Sequence, residues 1–480
     1  MKRWIAISAV CVLAIAMPAS AATDSSKYRD HVKLAKIVKH LEALQAIADA
    51  NGGTRASGTP GYEASVDYVA DKLRDKGFRV TIQNFPFAFF QELAPPKLER
   101  VSPAPKAYVE TTDFFTMTYS GSGDVTKNVQ AVDTTATPNA TSTSGCEASD
   151  FTGFMAGRIA LMQRGTCTFR VKALNAQVAG ASAAVIFNRG GGENGPINGT
   201  LGSPGVTIPA IGTSFAVGGE LFSADSSVVA HVFTSTIAEI RTTSNVLAET
   251  PGGRADKVVV AGAHLDSVTA GPGVTDNGSG VATMLEAALQ LNSSVNMFKT
   301  GGNGLANKVV FAFWGGEELN LLGSAHYLSQ LTPAQRAAIT ININVDMLSS
   351  SNGVYFVQDG DGAHTVPPGP VRPGRSAELE HVLTSYLESQ GLPWVARPYD
   401  GRSDYMSFVN AGIGAGGLTT GSDQVKTAEQ AALFGGVAGL TMHPSYHTAA
   451  DRLDNVNMKS LDDMSDATAH AILWFAMDGQ

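Results

Sequence analysis

Short apolar runs alternate with helical patterns over the second half of the chain. The runs are NVLAET, KVVVAGAH, KVVFAFWG, ITININVDML and AGIGAGGL, and the segments between them include GVATMLEAALQL and AELEHVLTSYLESQG. Apolar residues recur at helical spacing in those intervening segments. The alternation predicts an α/β fold with a mixed, mostly parallel central sheet flanked by helices. Ligands of such folds bind at the carboxyl ends of the strands.

The first part of the chain predicts two helices and a strand. Apolar positions have helical spacing from about Tyr28 to Asp49 and again in EASVDYVADKLRDKGF, where Gly77 is placed to end the helix. RVTIQNF then alternates like a strand. The proline-rich LAPPKLERVSPAPKAY follows, and the Ser/Thr/Gly-rich span from about Thr116 to Ser144 predicts a linker with short β segments.

Residues 127–240 form a block of their own. GRIALMQRGTCTF predicts a strand and a turn, RVKALNAQVAG a helix, and ASAAVIFNR a buried strand. The block contains few histidines or clustered acids, so we expect it to be a binding or structural module and not the catalytic centre. Its fold is expected to be a small inserted α/β domain, rich in β structure. The catalytic domain is then expected in two pieces, at 22–126 and 241–480.

The first 21 residues have the pattern of a signal peptide. MKR is basic, WIAISAVCVLAIAM is apolar, and PASA offers a small-residue cleavage site that ends at Ala21. No later stretch has the roughly 18 consecutive apolar residues of a membrane helix, so we expect a soluble, exported protein, either secreted or periplasmic. The formal net charge of -9 leaves no basic surface for nucleic acid.

Two cysteines remain once the signal peptide, with Cys11, is removed. An even pair in an oxidising compartment predicts a disulfide between Cys146 and Cys167. Two free buried thiols are the alternative. A two-cysteine zinc site is a poorer one, because neither cysteine has a CxxC or nearby histidine partner.

Polar residues that could bind metal follow three of the apolar runs. His264 and Asp266, the pair Glu317 and Glu318, and Asp346 come at these strand ends, while Asp276 precedes a helix and His447 lies in HPSYHTAADRL. Taken singly, each is an ordinary turn or core residue. Together they are imidazole and carboxylate ligands suited to zinc, and carboxylates this numerous would repel one another without cations. Two metal ions would relieve that repulsion.

The order of these motifs resembles a known family. HLDSV, DNGSGVA, EE, VDM and YHTAAD are similar to the motifs of the secreted and vacuolar di-zinc aminopeptidases of the leucine aminopeptidase type. NGGTRASGTPGYEASVDYV, GRSDYMSF and AHAILWF are also similar to that family. GRIALMQRGTCTFRVKALNAQVAGASAAVIFN in the middle block resembles a protease-associated (PA) domain.

The resemblance implies two zinc ions per chain and a role for each residue. The implied metal ligands are a bridging Asp276, with His264 and Asp346 on one ion and Glu318 and His447 on the other. Glu317 would be the general base, Asp266 would orient His264, Tyr446 would stabilise the oxyanion, and Arg402 would contact substrate. The histidines at 326, 364, 381, 443 and 470 are set aside as structural or surface residues.

The family implies an aminopeptidase that acts on peptide or protein N-termini, and we expect a monomer. The first residue is expected to be hydrophobic by resemblance only, since Thr419 stands where some relatives place an aromatic residue beside the specificity pocket. Three alternatives stay open: a glutaminyl cyclase, a carboxypeptidase of the same fold, and a non-catalytic receptor-like relative. All the ligand positions are filled, which favours an enzyme.

Overall fold

The computed structural model describes residues 24–223, 225–294, 304–365 and 367–477. The predicted signal peptide at 1–21 lies outside these residues. The strands are β1 (Arg79–Ser102), β2 (Lys106–Ala107), β3 (Phe114–Thr116), β4 (Gly123–Ala131), β5 (Ile159–Gln163), β6 (Ala183–Phe187), β7 (Ala210–Thr213), β8 (Val229–Glu249), β9 (Arg254–His264), β10 (Asn307–Trp314), β11 (Ile339–Val345), β12 (Phe356–Gln358), β13 (Val395–Arg397) and β14 (Ala415–Thr419).

The described helices fall before, between and after these strands. They are α1 (Ser26–Arg29), α2 (Leu34–Ala50), α3 (Pro60–Asp75), α4 (Phe169–Val178), α5 (Phe215–Leu221), α6 (Ser279–Ser294), α7 (Leu322–Gln330), α8 (Pro333–Ala338), α9 (Ser376–Ser389), α10 (Tyr405–Asn410), α11 (Ala428–Phe434) and α12 (Met458–Met477). The single helix predicted from about Tyr28 to Asp49 is therefore two helices, α1 and α2.

The chain forms two compact units. The catalytic unit comprises residues up to 83 and from 244 onward, and the second unit comprises residues 84–243. The second unit begins earlier than the predicted insert, whose start at residue 127 lies inside β4. The second unit begins earlier because the proline-rich stretch and its flanks form strands. These strands, β1, β2 and β3, pack with the second unit.

The sheet of the catalytic unit has the order β13-β12-β14-β11-β9-β10-β8. Strands β14, β11, β9 and β10 form a parallel group. At the two sides of this group, β12 pairs antiparallel with β14, and β8 pairs antiparallel with β10. The predicted mixed, mostly parallel sheet is confirmed.

Both faces of this sheet are covered, which explains the unbroken apolar runs. Along β10, Phe311 and Phe313 point into a core that includes residues of α2, α6 and α12, and Ala312 and Trp314 point into a second core with α7 and α10. Strand β11 carries the buried polar residues Asn342 and Asn344 within its length, but β10 is apolar on both faces. Its polar residues are therefore displaced to its ends.

The second unit contains four parallel strands, β4 to β7, with β8 and β3 antiparallel at the two ends. Alternate residues of β5 face two cores, one containing Leu161 and the other Met162. The predicted disulfide is confirmed, since Cys146 and Cys167 are bonded. None of the helices in the described residues is long and apolar enough to cross a bilayer.

Candidate active site

Three neighbouring parallel strands carry polar side chains at their carboxyl ends. His264 is the last residue of β9, Glu317 and Glu318 follow β10 after two glycines, and Asp346 follows β11. Strand β9 lies between β10 and β11, and all three run in the same direction. The strand ends therefore meet at one edge of the sheet, as the sequence pattern predicts.

The turn after β10 places the two adjacent glutamates. Gly316 has a φ of 70°, in the left-handed region that glycine adopts without a steric penalty. Its N–H donates to the Ser57 hydroxyl oxygen at 2.8 Å, and the N–H of Glu317 donates to Oδ1 of Asp266 at 3.2 Å. The side chains of Glu317 and Glu318 are each only 10% exposed. The simplest interpretation of this stretch, an ordinary solvated turn, is therefore wrong.

Asp276 and His447 reach the same edge of the sheet from loops. Asp276 lies in the turn Val274–Gly278, immediately before α6. Its N–H donates to one oxygen of the Asp451 carboxylate at 3.0 Å, and the N–H of Thr275 donates to the other oxygen at 2.8 Å. His447 has a φ of 57°, so its loop turns sharply at this residue. Backbone contacts with Asp451 thus fix the turn that carries Asp276, and the turn at His447 directs its loop to the same edge.

Asp276 stands between two histidines. Its Oδ1 lies 3.3 Å from Nε2 of His264, and its Oδ2 lies 3.1 Å from Nε2 of His447. Nε2 of His264 is also 3.3 Å from Oδ1 of Asp346, and Nε2 of His447 is 3.1 Å from Oε2 of Glu318. The closest contacts therefore form two groups that share Asp276, one with His264 and Asp346 and the other with His447 and Glu318.

Glu317 lies beside the first of these groups. Its Oε2 is 3.9 Å from Nε2 of His264. Ligand atoms of Glu317, His264 and Asp346 all lie within 4.8 Å of one another, and so do those of Glu318, His264 and Asp276. At this 4.8 Å limit, His264 belongs to both sets, so the limit alone does not divide the carboxylates between two groups. The division above rests on the shorter contacts, and Glu317, at 3.9 Å, is farther from His264 than Asp276 and Asp346, at 3.3 Å.

Protons compensate for the crowding of acids in this cluster. Burial and the charge of Asp276 raise the pKa of Glu318 to about 7, and burial raises the pKa of Glu317 well above its usual range. Burial opposes the charge of His447, but its contacts with Asp276 and Glu318 raise its pKa to about 10. Burial likewise opposes charge on His264, yet the nearby carboxylates raise its pKa. A bound cation would replace these protons.

The donor set fits zinc. Oε1 of Glu318 is buried without a hydrogen-bond partner, which is costly unless a cation or water meets it. Imidazole nitrogens and carboxylate oxygens are common zinc ligands. Two histidines and three carboxylates, with Asp276 facing both histidines, supply ligands for two ions.

Asp266 contacts the cluster through both its backbone and its side chain. Its backbone carbonyl oxygen accepts a hydrogen bond from Nδ1 of His264 at 3.1 Å. Its carboxylate is 3.7 Å from that nitrogen and instead accepts the N–H of Glu317. The backbone of Asp266 therefore sets the tautomer of His264, which leaves Nε2 as the ligand atom, and the side chain positions Glu317.

Tyr446 and Arg402 lie side by side at the open side of the cluster. The Tyr446 ring stacks on the His447 ring at 3.8 Å between centroids, and its hydroxyl oxygen accepts a hydrogen bond from Nη2 of Arg402 at 3.1 Å. Nη1 of Arg402 donates to Asp423 at 2.8 Å. Burial and the nearby acids raise the pKa of Tyr446, so its phenol keeps a proton that it can donate.

A pocket of about 320 Å³ opens next to the cluster. Its lining includes the three carboxylates Asp276, Glu317 and Glu318 together with Tyr446 and Arg402. The remaining lining residues are Asn320, Leu321, Asp346, Met347, Gln358, Arg397, Asp400, Gly401, Ser403, Tyr405, Thr419 and Ser422. The structure thus brings all nine predicted site residues outside the disulfide to one place. Six of them line the pocket wall, the buried His264 and Asp266 lie behind it, and His447 stacks on Tyr446.

Three supporting residues were not predicted from the sequence. The Ser403 hydroxyl donates to Oδ2 of Asp346 at 2.6 Å, and Asp451 accepts the N–H of Asp276. Arg55, which is fully buried, donates to the carbonyl oxygens of Leu265, Pro272 and Gly273, in the loop between His264 and Asp276. Ser403 lies in GRSDYMSF and Arg55 in NGGTRASGTPGY, so motif resemblance marked the segments but not these contacts.

Comparison with known proteins follows the same division of the chain. Residues 245–472 match the family described as Peptidase family M28, and residues 126–221 match the PA domain. An aminopeptidase of Pseudomonas aeruginosa is 41% identical over 449 residues, which cover 93% of this chain and 81% of the relative. A probable leucine aminopeptidase 2 of Aspergillus fumigatus is 35% identical over 428 residues, which cover 88% of this chain and 79% of the relative.

A solved structure shows the same fold. The aminopeptidase from Aneurinibacillus sp. strain AM-1 has a TM-score of 0.62 and 24% identity, and the match covers 95% of this chain and 96% of that chain. The resemblance predicted from the sequence motifs is confirmed, and so is the presence of a PA domain. The chain therefore belongs to peptidase family M28 and carries a PA domain within its sequence.

Proposed function

We propose that this chain is an exported zinc aminopeptidase that removes the N-terminal residue from peptides and proteins. Family membership supports a zinc-dependent peptidase, and the relatives compared above are named aminopeptidases. The observation that carries the proposal is the placement of two imidazoles against opposite oxygens of Asp276, with Glu317 beside them. That arrangement suits two metal ions and a separate base.

Five side chains would hold the two zinc ions. Asp276 would bridge them, His264 and Asp346 would complete one site, and Glu318 and His447 would complete the other. Bound there, the ions would make a water molecule more acidic and polarise the carbonyl group of the scissile bond. The short contacts within each group support this division.

Glu317 would act as the general base. Its Oε2 lies 3.9 Å from Nε2 of His264, farther than the 3.3 Å contacts of Asp276 and Asp346, which would leave it free to face a water molecule rather than an ion. It would accept a proton from the attacking water and then return a proton to the leaving amine. The Asp266 carboxylate holds the backbone of Glu317 in this position.

The pocket would bind the first residue of the substrate. Its acidic side would attract the free α-amino group, and Tyr446 would donate a hydrogen bond to the developing oxyanion while Arg402 holds its hydroxyl group. Leu321 and Met347 supply apolar surface for a hydrophobic first side chain. The disulfide Cys146–Cys167 and the predicted signal peptide support export to an oxidising compartment, either the periplasm or the medium.

The variant Glu317→Gln tests the role of the base. The amide keeps the size of the side chain but cannot accept the proton, so we expect the rate of hydrolysis of leucine p-nitroanilide to fall at least about a hundredfold. Zinc content should stay at the wild-type value, because Glu317 is not a proposed ligand. Glu42→Gln, an exposed glutamate of α2, is the matched control and should retain activity. Near-normal turnover by Glu317→Gln would overturn the assignment.

The choice of substrate tests the reaction itself. We expect hydrolysis of leucine p-nitroanilide to be blocked by a chelator and to be absent with the N-acetylated substrate. A carboxypeptidase would accept N-acetylated peptides, and a glutaminyl cyclase would convert an N-terminal glutamine without releasing an amino acid. Equal rates with and without the acetyl group would exclude an aminopeptidase.

A further inference from the structure

A second cluster of acids and a histidine lies in the catalytic unit, outside the active-site pocket. Asp359, Asp361 and His364 belong to the loop that follows β12, and Glu380 lies on α9. Nδ1 of His364 is 3.0 Å from Oε1 of Glu380, 3.6 Å from Oδ1 of Asp361 and 3.9 Å from Oδ1 of Asp359. One ligand atom from each of the four residues lies within 4.8 Å of every other.

Glu380 supplies a buried oxygen with no hydrogen-bond partner. Its side chain is only 4% exposed, and its Oε2 accepts the N–H of Asp361 at 3.0 Å. Its Oε1, which faces the cluster, accepts no hydrogen bond. Nδ1 of His364 lies 3.0 Å from Oε1, but the two atoms do not form a hydrogen bond. A buried carboxylate oxygen without a hydrogen-bond partner destabilises the fold unless a bound ligand, such as a cation, contacts it.

The loop backbone holds the other two acids in place. Asp359 is almost fully buried and accepts the N–H of Thr365 at 2.7 Å, and Asp361 accepts the N–H of Ala363 at 2.8 Å. Three carboxylates therefore converge on one imidazole, and two of them are removed from water. Mutual repulsion of these carboxylates would favour a bound cation.

We propose that Asp359, Asp361, His364 and Glu380 bind one zinc ion. Carboxylate oxygen and imidazole nitrogen are ligands that zinc accepts together, and four ligands match the coordination number of a structural zinc site. The hard ions calcium and magnesium bind through oxygen and make less use of imidazole. This zinc site is separate from the proposed catalytic pair and does not depend on it.

The site adjoins one wall of the active-site pocket. Gln358, the last residue of β12, lines the pocket and directly precedes Asp359. The N–H of Asp359 donates to the carbonyl oxygen of Arg397 at 2.9 Å, and Arg397 also lines the pocket. A zinc ion here would hold the loop that supports this wall. We therefore expect its loss to raise KM for aminoacyl substrates with a smaller change in kcat.

Zinc content measured on matched variants tests the site. His364→Ala and Asp361→Asn alter half-exposed side chains and should fold normally, and Glu380→Gln removes the buried charge. After equilibration with Zn²⁺ and removal of free metal, each variant should contain one equivalent per chain less than the wild type. His381→Ala, an exposed histidine of α9, is the control and should keep the wild-type content.

The measured quantity is the difference of one equivalent, so it does not depend on how many ions the catalytic cluster holds. Loss of the proposed catalytic zinc in Asp276→Asn should leave the ion bound at His364, so the two proposals fail separately. Equal zinc content in the wild type and in the two surface variants would overturn the inference. Uptake of Ca²⁺ in place of Zn²⁺ at these residues would overturn the choice of metal.

Discussion

The variant Arg55→Met would remove the side chain that holds the loop between the two ends of the active site. This guanidinium is fully buried and donates to the carbonyl oxygens of Leu265, Pro272 and Gly273. Burial lowers its pKa to about 10, so it stays charged at neutral pH. Methionine has a similar length but no hydrogen-bond donor. The variant therefore leaves the buried carbonyl oxygens of Leu265 and Pro272 without this donor, while that of Gly273 still accepts the N–H of Gly278 at 3.0 Å.

The expected loss of stability follows from that count. Each unpaired buried acceptor costs about 1–3 kcal/mol, which places the total for the two acceptors between about 2 and 6 kcal/mol. The loop can shift to recover some contacts with water, so we expect about 4 kcal/mol. His264 and Asp276 lie at the two ends of this loop. We therefore also expect zinc affinity to fall about 10–100-fold, as it does when groups that orient metal ligands are lost.

Urea unfolding followed by tryptophan fluorescence measures this effect. Trp314, Trp394 and Trp474 all belong to the catalytic unit, so the signal of the described chain reports that unit. Arg452→Ala is the control, because Arg452 forms a half-exposed ion pair with Asp49 and should contribute no more than about 1 kcal/mol. Equal stability of the two variants, with unchanged zinc affinity, would refute the role given to Arg55.

Two further predictions concern other buried polar contacts. His470 stacks on Tyr386, and burial lowers its pKa from 6.5 to about 4, so it contributes stability that is present above pH 6.5 and lost as the pH falls through about 4. Urea unfolding should show wild type losing about 2 kcal/mol more than His470→Phe between pH 7 and pH 4, and parallel losses would contradict this. Ser403→Ala removes the hydrogen bond to Asp346, so competition with a chelator should show zinc affinity about tenfold lower. Unchanged affinity would show that Ser403 does not position Asp346.

The sequence predicted the edge of the sheet at which the site lies. The apolar runs in β9 and β10 are unbroken because both faces of these strands are buried, and such runs are recognisable without a structure. Strand β11 is also buried, although Asn342 and Asn344 interrupt its run of apolar residues. Polar residues directly after the runs then had to lie at the carboxyl ends of parallel strands. His264, Glu317, Glu318 and Asp346 were found in this way, and the resemblance added Asp276 and His447 from loops.

The supporting contacts could not be predicted from the sequence. Arg55 binds carbonyl oxygens more than 200 positions away, and Asp451 binds an N–H group 175 positions away. Such contacts have no periodicity, because any donor can meet any backbone carbonyl. The proposed third zinc site was not predicted, because His364 has no acidic cluster of matching register in the sequence, and Glu380, its closest acid in the structure, lies on the following helix. Strand β1 was also unexpected, since it continues through Pro95 and Pro96.

The division of the catalytic unit along the sequence sets an order for its folding. Its first helices must wait for distant partners: the Tyr28 hydroxyl donates to the carbonyl oxygen of Ala287, and Ser25 is hydrogen-bonded to His470. The second unit is continuous from 84 to 243 and has its own cores. It can therefore collapse while the catalytic sheet still lacks most of its strands. Closing such long loops is slow, so the catalytic core is the last part to form, and it cannot be complete until α12 has joined it.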